Sequence, residues 1–491
     1  MFVEVIMTLS VLICGVTIMR VIGIEGWILP AMGFVTGIAI HIIIGTIQAV
    51  TIVSSSPVIT IMATILLSAI IWFWCYIQGK DISIKITPAL IFTIFIVLAV
   101  LLFRTINLQC FTPDSFRYIE VGSLLESGNL NHATPNLLLD RLLAVPLMHA
   151  AANLVDEFYF RSITPLLAIS SIFILAWLIH EGLSLSNIES WLVKLFSITG
   201  AFLLVTSNRF VFNAFYINGH MLTAVFLLLL VGCGWLQVKK ATIDPRALLV
   251  LQVISISVLT LTRPENPLFA GIALLPFLAS GRIFWKHRAL LLFVLGFSVV
   301  TWYGFLWIKY IGSGEAVPIS VVGMIGFGSV SVMIAPLLAW RKIDQLLPNS
   351  LVLAELSIWL ILMFFAFQNF SLLKRSILAT IDNIFLDYGG WGSVLVLLII
   401  ISIGVMIFTK VSDFIILRFP ITTFLPYVFL LAYLRDGAYR VGHGDSLNRM
   451  FLHIVPLAIL FIISTAASEE WGLPDRLKYI WYRLNVYTNR N

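Results

Sequence analysis

Asp114 follows a proline at the head of PDSFRYIEVGSLLESG, inside the first long polar interval (107–135) of a chain that is otherwise nearly continuous hydrocarbon. With Thr112 and Pro113 it can cap a helix, because short polar side chains and proline mark helix starts. It can also face a pocket as a carboxylate, since its ordinary pKa of ~3.9 leaves it ionised at neutral pH, and take a proton from an attacking hydroxyl. The two roles are compatible. The same stretch adds Arg117 and Tyr118, and three later polar turns add more. They are Arg209 and His220 in SNRFVFNAFYINGH, Arg263 and Glu265 in LTRPENP, and Arg440, His443, Asp445 and Arg449 in RDGAYRVGHGDSLNRMFLH. The guanidinium fork matches phosphate oxygens two at a time, so a carboxylate among arginines points to chemistry on a phosphate-bearing substrate.

Each group has a plainer alternative. Lone arginines can snorkel at headgroup depth, and Arg263 can simply pair with Glu265. His443 and Asp445 are too few for a zinc site. No metal and no other cofactor is expected, although metal dependence stays open.

These residues need elements to hold them. The chain has 491 residues, 60% hydrophobic and 11% charged, with mean hydropathy +1.04. A soluble protein carries about 25% charged residues, so the solvent is a bilayer. The net charge of +6 is spread along the chain, without the basic stripe that nucleic acid requires. Cys14, Cys75, Cys110 and Cys233 form no CxxC pair and read as small hydrophobes. The first segment lacks a basic leader and reads as a spanning helix rather than a cleaved one. Walker A, GxGxxG, GxSxG and HExxH motifs are absent, which removes soluble nucleotide-driven chemistry.

Continuous apolar runs predict helices, the spanning form whose backbone satisfies itself. At about 20 residues per crossing, the runs fall at 3–19, 27–47, 57–77, 86–103, 160–180, 190–206, 219–237 and 246–262. Further runs lie at 266–281, 289–309, 318–339, 350–369, 391–409, 417–434 and 450–467. The expected fold is therefore all-α, a polytopic membrane protein of about fifteen spans. Its organisation reads as a three-helix extension (1–85), a core module (86–310) with a polar loop (105–159), and a C-terminal module with a tail (311–491).

Alternate loops carry the lysines and arginines, among them Arg20, Lys80, Lys85, Lys239, Lys240, Arg282, Arg341, Lys342 and Lys410, as does the tail with Arg476 and Lys478. Short basic loops face the cytoplasm, so the N-terminus and 107–135 lie outside and the C-terminus inside. Residues 137–151, LLLDRLLAVPLMHAA, are too short and too interrupted to span and predict an interfacial helix. In 114–126, Tyr118, Val121 and Leu125 share one helical face, which predicts a second surface helix.

The order of these pieces resembles the GT-C superfamily of membrane glycosyltransferases. The family's first outer loop, an acidic residue followed four positions later by tyrosine, is similar to PDSFRYIEVG. FYFRSITPLLAISSIFILAWLI resembles its arginine-led core helix, LTRPENPLFAGIALL its basic turn, and YRVGHGDSLNRMFLHIVPLAIL its late loop and closing helix. The resemblance covers roughly 86–288 and 439–460. It implies a polyprenyl-phosphate-linked sugar donor, Asp114 in the catalytic acidic position, and Arg263 and Arg449 near the donor phosphate. Three helices precede the family's usual first, the acidic motif is a lone aspartate with Glu120 as a candidate second carboxylate, and no large outer C-terminal domain follows.

The expected activity is transfer of a sugar, with inversion, from that donor to a cell-surface glycan or lipid-linked acceptor. It would take place on the periplasmic face of a bacterial inner membrane. Two alternatives remain. A polymerase or ligase using polyprenyl-pyrophosphate glycans would also need outer arginines but no base at Asp114. A lipid-linked sugar flippase would place its charges near the bilayer midplane, often within internal repeats, and no repeat is visible here.

Overall fold

Hydrocarbon offers a backbone no partner but itself, and the apolar runs of this chain coil accordingly. The computed structural model describes residues 2–51, 56–79, 95–97, 99–100, 113–186, 188–339, 343–408 and 414–467. Among the described residues the structure is helical throughout, with no strand. Most of the expected 86–103 segment falls outside them, as do Thr112, Cys110, Lys80, Lys85, Arg341, Lys342, Lys410 and the basic tail.

Nine described helices are long and apolar enough to cross a membrane. They are Phe2–Val21, Gly26–Thr51, Pro57–Ile77, Ile163–Leu183, Gly219–Lys239, Trp285–Ser313, Ile319–Ala339, Ser350–Gln368 and Ile415–Leu434. Two bent pairs raise the number to eleven if each is one span: Ser190–Val205 with Asn208–Ala214, bent by 72°, and Ser446–His453 with Val455–Ala466, bent by 40°. Pro245–Leu259, Asn266–Leu278 and Ser393–Ile407 are shorter apolar helices. Every expected segment other than 86–103 coincides with one of these. The 13 residues of Asn266–Leu278 rise only about 20 Å, short of a hydrocarbon core of about 30 Å. Among the described residues, length and composition alone therefore carry nine spans, or up to eleven with the bent pairs.

The bundle is built around Gly219–Lys239, buried from Gly219 to Leu236. It packs against Ile163–Leu183, Pro245–Leu259, Asn266–Leu278, Ile415–Leu434 and Val455–Ala466. Phe2–Val21 and Leu29–Thr51 form the tightest helix pair. A Cβ on Gly15 would stand 1.7 Å from the Gly33 carbonyl oxygen, so the two backbones approach at a small-residue contact.

One end of the bundle gathers the polar turns. Glu4, in the first turn of the chain's first helix, accepts from both the amide and the hydroxyl of Ser162 at 2.8 Å. The N-terminus and the 113–162 loop thus share a side. Asn136 donates to Glu315 at 3.0 Å, and Ser115 donates to the Ile217 carbonyl at 3.1 Å. The far end holds Arg418 against Glu355 at 2.9 Å and Lys239 over the Phe414 ring at 4.9 Å.

The predicted surface helix is present as Pro113–Glu126, with Tyr118, Val121 and Leu125 on its buried face. The interfacial helix expected over 137–151 is corrected. That stretch breaks into Pro135–Asp140, Ala144–His149 and a 3-10 turn, Ala150–Val155. Leu138, Leu142, Leu143 and Ala144 are fully buried. Asp140, Arg141 and Pro146 interrupt the helix, and the pieces pack against Pro113–Glu126 rather than forming one continuous helix.

Candidate functional site

Pro113 occupies the first helical position, where its missing N–H costs nothing, and this sets Asp114 in the first turn with its carboxylate turned outward. One oxygen accepts from Arg141 Nη2 at 2.5 Å and the other from Arg449 Nη1 at 3.2 Å. Arg141 comes from the break after Pro135–Asp140, where the chain leaves the helix. Arg449 comes from the short helix Ser446–Met450, whose start is fixed by Asp445. The Asp445 carboxylate accepts from the amides of Leu447 at 3.0 Å and Arg440 at 2.9 Å, closing the RVGHGD turn. Burial raises the Asp445 pKa above the ordinary carboxylate value, against the lowering effect of those amides.

A second charged group faces the first. Arg263 Nε donates to Glu265 at 2.7 Å, and its Nη1 donates to Asn218 Oδ1 at 3.0 Å and meets His220 Nε2 at 3.2 Å. Arg435 approaches Glu265 at 3.7 Å. A guanidinium only donates, so His220 Nε2 accepts and its Nδ1 carries the proton. That proton points to His453 Nε2, 2.9 Å away. Two hydrogen-bonded imidazoles, their rings tilted by 33°, thus back Arg263. Burial alone would raise the pKa of Glu265, but Arg263 first and then Arg435 hold it at about 2. Burial likewise opposes ionisation of Asp114, and the charges of Arg141, Arg449 and Arg263 outweigh it, so its pKa is lowered.

Both groups open into one cavity of about 1110 Å³. Its polar wall carries Asp114, Tyr118, Arg141, Arg263, Glu265, Arg440, Asp445 and Arg449. Its other wall is hydrocarbon, with Leu268, Ile319, Gly323, Met324, Leu431 and Leu434. Ile319 is 90% and Leu434 69% exposed, so this wall continues onto the apolar flank of the helices. Two further cavities, of about 360 and 30 Å³, are lined without any charged side chain. Among the described residues no group of three or more His, Cys, Asp or Glu side chains is placed to hold a metal ion.

Seven sequence-predicted residues meet at this cavity: Asp114, Tyr118, Arg263, Glu265, Arg440, Asp445 and Arg449. Four do not line it. Arg117 faces solvent and pairs with Asp140 at 3.4 Å, both half-exposed. His220 stands behind Arg263. Arg209 and His443 bond to each other away from the cavity, and Arg209 also donates to the carbonyls of Gly389 and His443. This is loop pinning. Arg141, Arg435, Tyr216 and Asn218 complete the site. Arg141 and Arg435 carried a readable signal as arginines of the outer loops. Tyr216 and Asn218 belong to the same polar-aromatic turn as His220, SNRFVFNAFYINGH, which the sequence marks as a candidate. No protein family, no curated protein and no solved structure matches this chain.

Proposed function

We propose that the chain is a membrane glycosyltransferase of GT-C type, moving a sugar from a polyprenyl-phosphate donor to a glycan or lipid-linked acceptor. In this reading the chain has about fifteen spans and sits in a bacterial inner membrane. The cavity faces the periplasm and the C-terminus the cytoplasm, as the basic loops require. One observation supports it above others: a carboxylate and several guanidinium groups share a cavity whose remaining wall is hydrocarbon continuous with the helix flank. A lipid phosphate bearing a sugar has that same division of polarity.

The acceptor oxygen forms a bond to the anomeric carbon while the bond from that carbon to the phosphate oxygen breaks. The electron pair leaves with the lipid phosphate, and the acceptor proton passes to Asp114. The donor is a phosphodiester and the product a monoester, so negative charge grows on phosphate during the step. Fixed arginines bind the growing charge more tightly than the starting diester, which is what lowers a barrier. Losing one such donor costs about 3–4 kcal/mol. A single base attacking from one face inverts the anomeric carbon.

Asp114→Asn should insert and fold normally and lose transfer by at least about 100-fold, the usual range for a positioned base. Turnover retained in membranes carrying that variant would remove Asp114 from the chemistry. A carboxyl held low by two arginines is a weak base, and this favours the polyprenyl-pyrophosphate polymerase or ligase as the second reading. Transfer assays with monophosphate-sugar and pyrophosphate-glycan donors separate the two.

A further inference from the structure

The two guanidinium groups on Asp114 are not spent on it. Arg141 gives Nη2 to Asp114 and Nη1 to the Asp140 carbonyl at 2.9 Å. Arg449 gives Nη1 both to Asp114 and to the Tyr216 hydroxyl, the latter at 2.6 Å. The Nε of each is buried and, among the described residues, has no acceptor. Arg449 as a whole is 9% exposed. Aromatic rings hold both from one side, with Arg141 5.3 Å from the Tyr118 centroid and Arg449 5.6 Å from that of Tyr216. Buried guanidinium N–H groups without acceptors are costly, and an anion with more oxygens than a carboxylate would satisfy more of them.

The Arg263 set is different. Its Nε and Nη1 are engaged by Glu265, Asn218 and His220, and the Arg263 and Glu265 side chains are only 14% and 6% exposed. That pair is the more enclosed of the two, whereas the Asp114 side chain is 35% exposed on the cavity wall.

We propose that Arg141 and Arg449 form the seat for the phosphate of a lipid phosphate, and that the Asp114 carboxylate competes with that phosphate for the same two guanidinium groups. This rests on the glycosyltransferase reading for its substrate but is measured without sugar transfer. Seating the phosphate draws the arginines off Asp114 and leaves its carboxylate beside the bound donor, released from the cations that weaken it as a base. Arg141 is thereby assigned to substrate binding.

The test is equilibrium binding of farnesyl phosphate to the full chain in detergent, with farnesol and inorganic phosphate as the other two arms. Asp114→Asn, which removes the competitor, should bind farnesyl phosphate about fivefold tighter than wild type. Arg141→Gln should bind it about tenfold more weakly, and neither change should alter farnesol binding. Unchanged or weaker binding by Asp114→Asn would overturn the competition, because the carboxylate would then be orienting the arginines rather than contesting them. Inorganic phosphate binding as tightly as farnesyl phosphate would overturn the lipid assignment. An Asp114→Asn variant that binds tighter and still transfers sugar would leave the seat standing while removing the proposed base.

Discussion

Asp114 illustrates how one side chain can serve two ends in conflict. The arginines that make the cavity fit for phosphate also lower the basicity of the carboxylate beside them, and catalysis by a general base weakens as its pKa falls. Glu265 has no such conflict, being buried against Arg263 and nearly out of solvent. Removing one partner of a buried pair leaves the other charge uncompensated, at about 3–5 kcal/mol. Glu265→Gln should therefore shorten the half-life of the detergent-solubilised protein at a fixed elevated temperature, far more than Asp140→Asn in the exposed Arg117 pair. The pH dependence has a definite sign. A carboxyl lowered from 4.5 to about 2 by folding contributes stability that is complete above pH 4.5 and lost as pH falls toward about 2. Wild-type half-life should fall in that acid window, and Glu265→Gln should lack that part of the fall.

At the scale of elements, the site depends on two loops held by residues that never reach the cavity. Arg209, in the bent pair, bonds to Gly389 and His443. Asn383 donates to the Arg440 carbonyl at 2.9 Å and accepts from the Gly442 amide at 2.8 Å. Trp391 Nε1 donates to the Asn448 carbonyl at 3.0 Å. Gly390 has φ +70, and a Cβ there would meet the His443 ring at 2.5 Å, so the close approach admits only glycine. The loop that presents Arg440 and Arg449 is thus fastened to a neighbouring loop, with Arg209 as the clasp. Arg209→Ala should raise amide hydrogen exchange across 440–448 while leaving Gly219–Lys239 protected. Unchanged exchange in 440–448 would show that Asn383 and Trp391 suffice.

Across the whole molecule, sidedness is the property on which the glycosyltransferase reading depends. Glu4 bonded to Ser162 and Asn136 bonded to Glu315 put the N-terminus and several alternate loops at one end of the bundle. With Cys110 replaced by serine, the three described cysteines are buried and give a silent background. Ser127→Cys should then react with a membrane-impermeant maleimide added outside intact cells. Thr242→Cys, on an exposed loop at the opposite end, should react only after permeabilisation. Both reacting from the same side would break the proposed topology.

Hydrophobicity is a local property, legible at the 1.5 Å rise of one helix. The sequence by itself therefore determined which of the described segments coil into helices, and in what order. It also placed Asp114 at a helix start, because proline followed by a short acid is a local signal. Which of the many arginines would touch Asp114 was not legible. Arg141 and Arg449 lie 27 and 335 residues from Asp114, and Arg209 lies 234 from His443. A helix that is apolar all round, such as Gly219–Lys239, gives no face from which to deduce its neighbours. The break of 137–151 into short buried pieces was hidden for a related reason, since an apolar run beside the membrane buries equally well in lipid or in protein. Tertiary packing alone decided which arginines meet Asp114, and set His220 behind Arg263 rather than in the cavity. Ion-pair choice depends on how helix ends are brought together, and that order is written in the packing of the whole bundle.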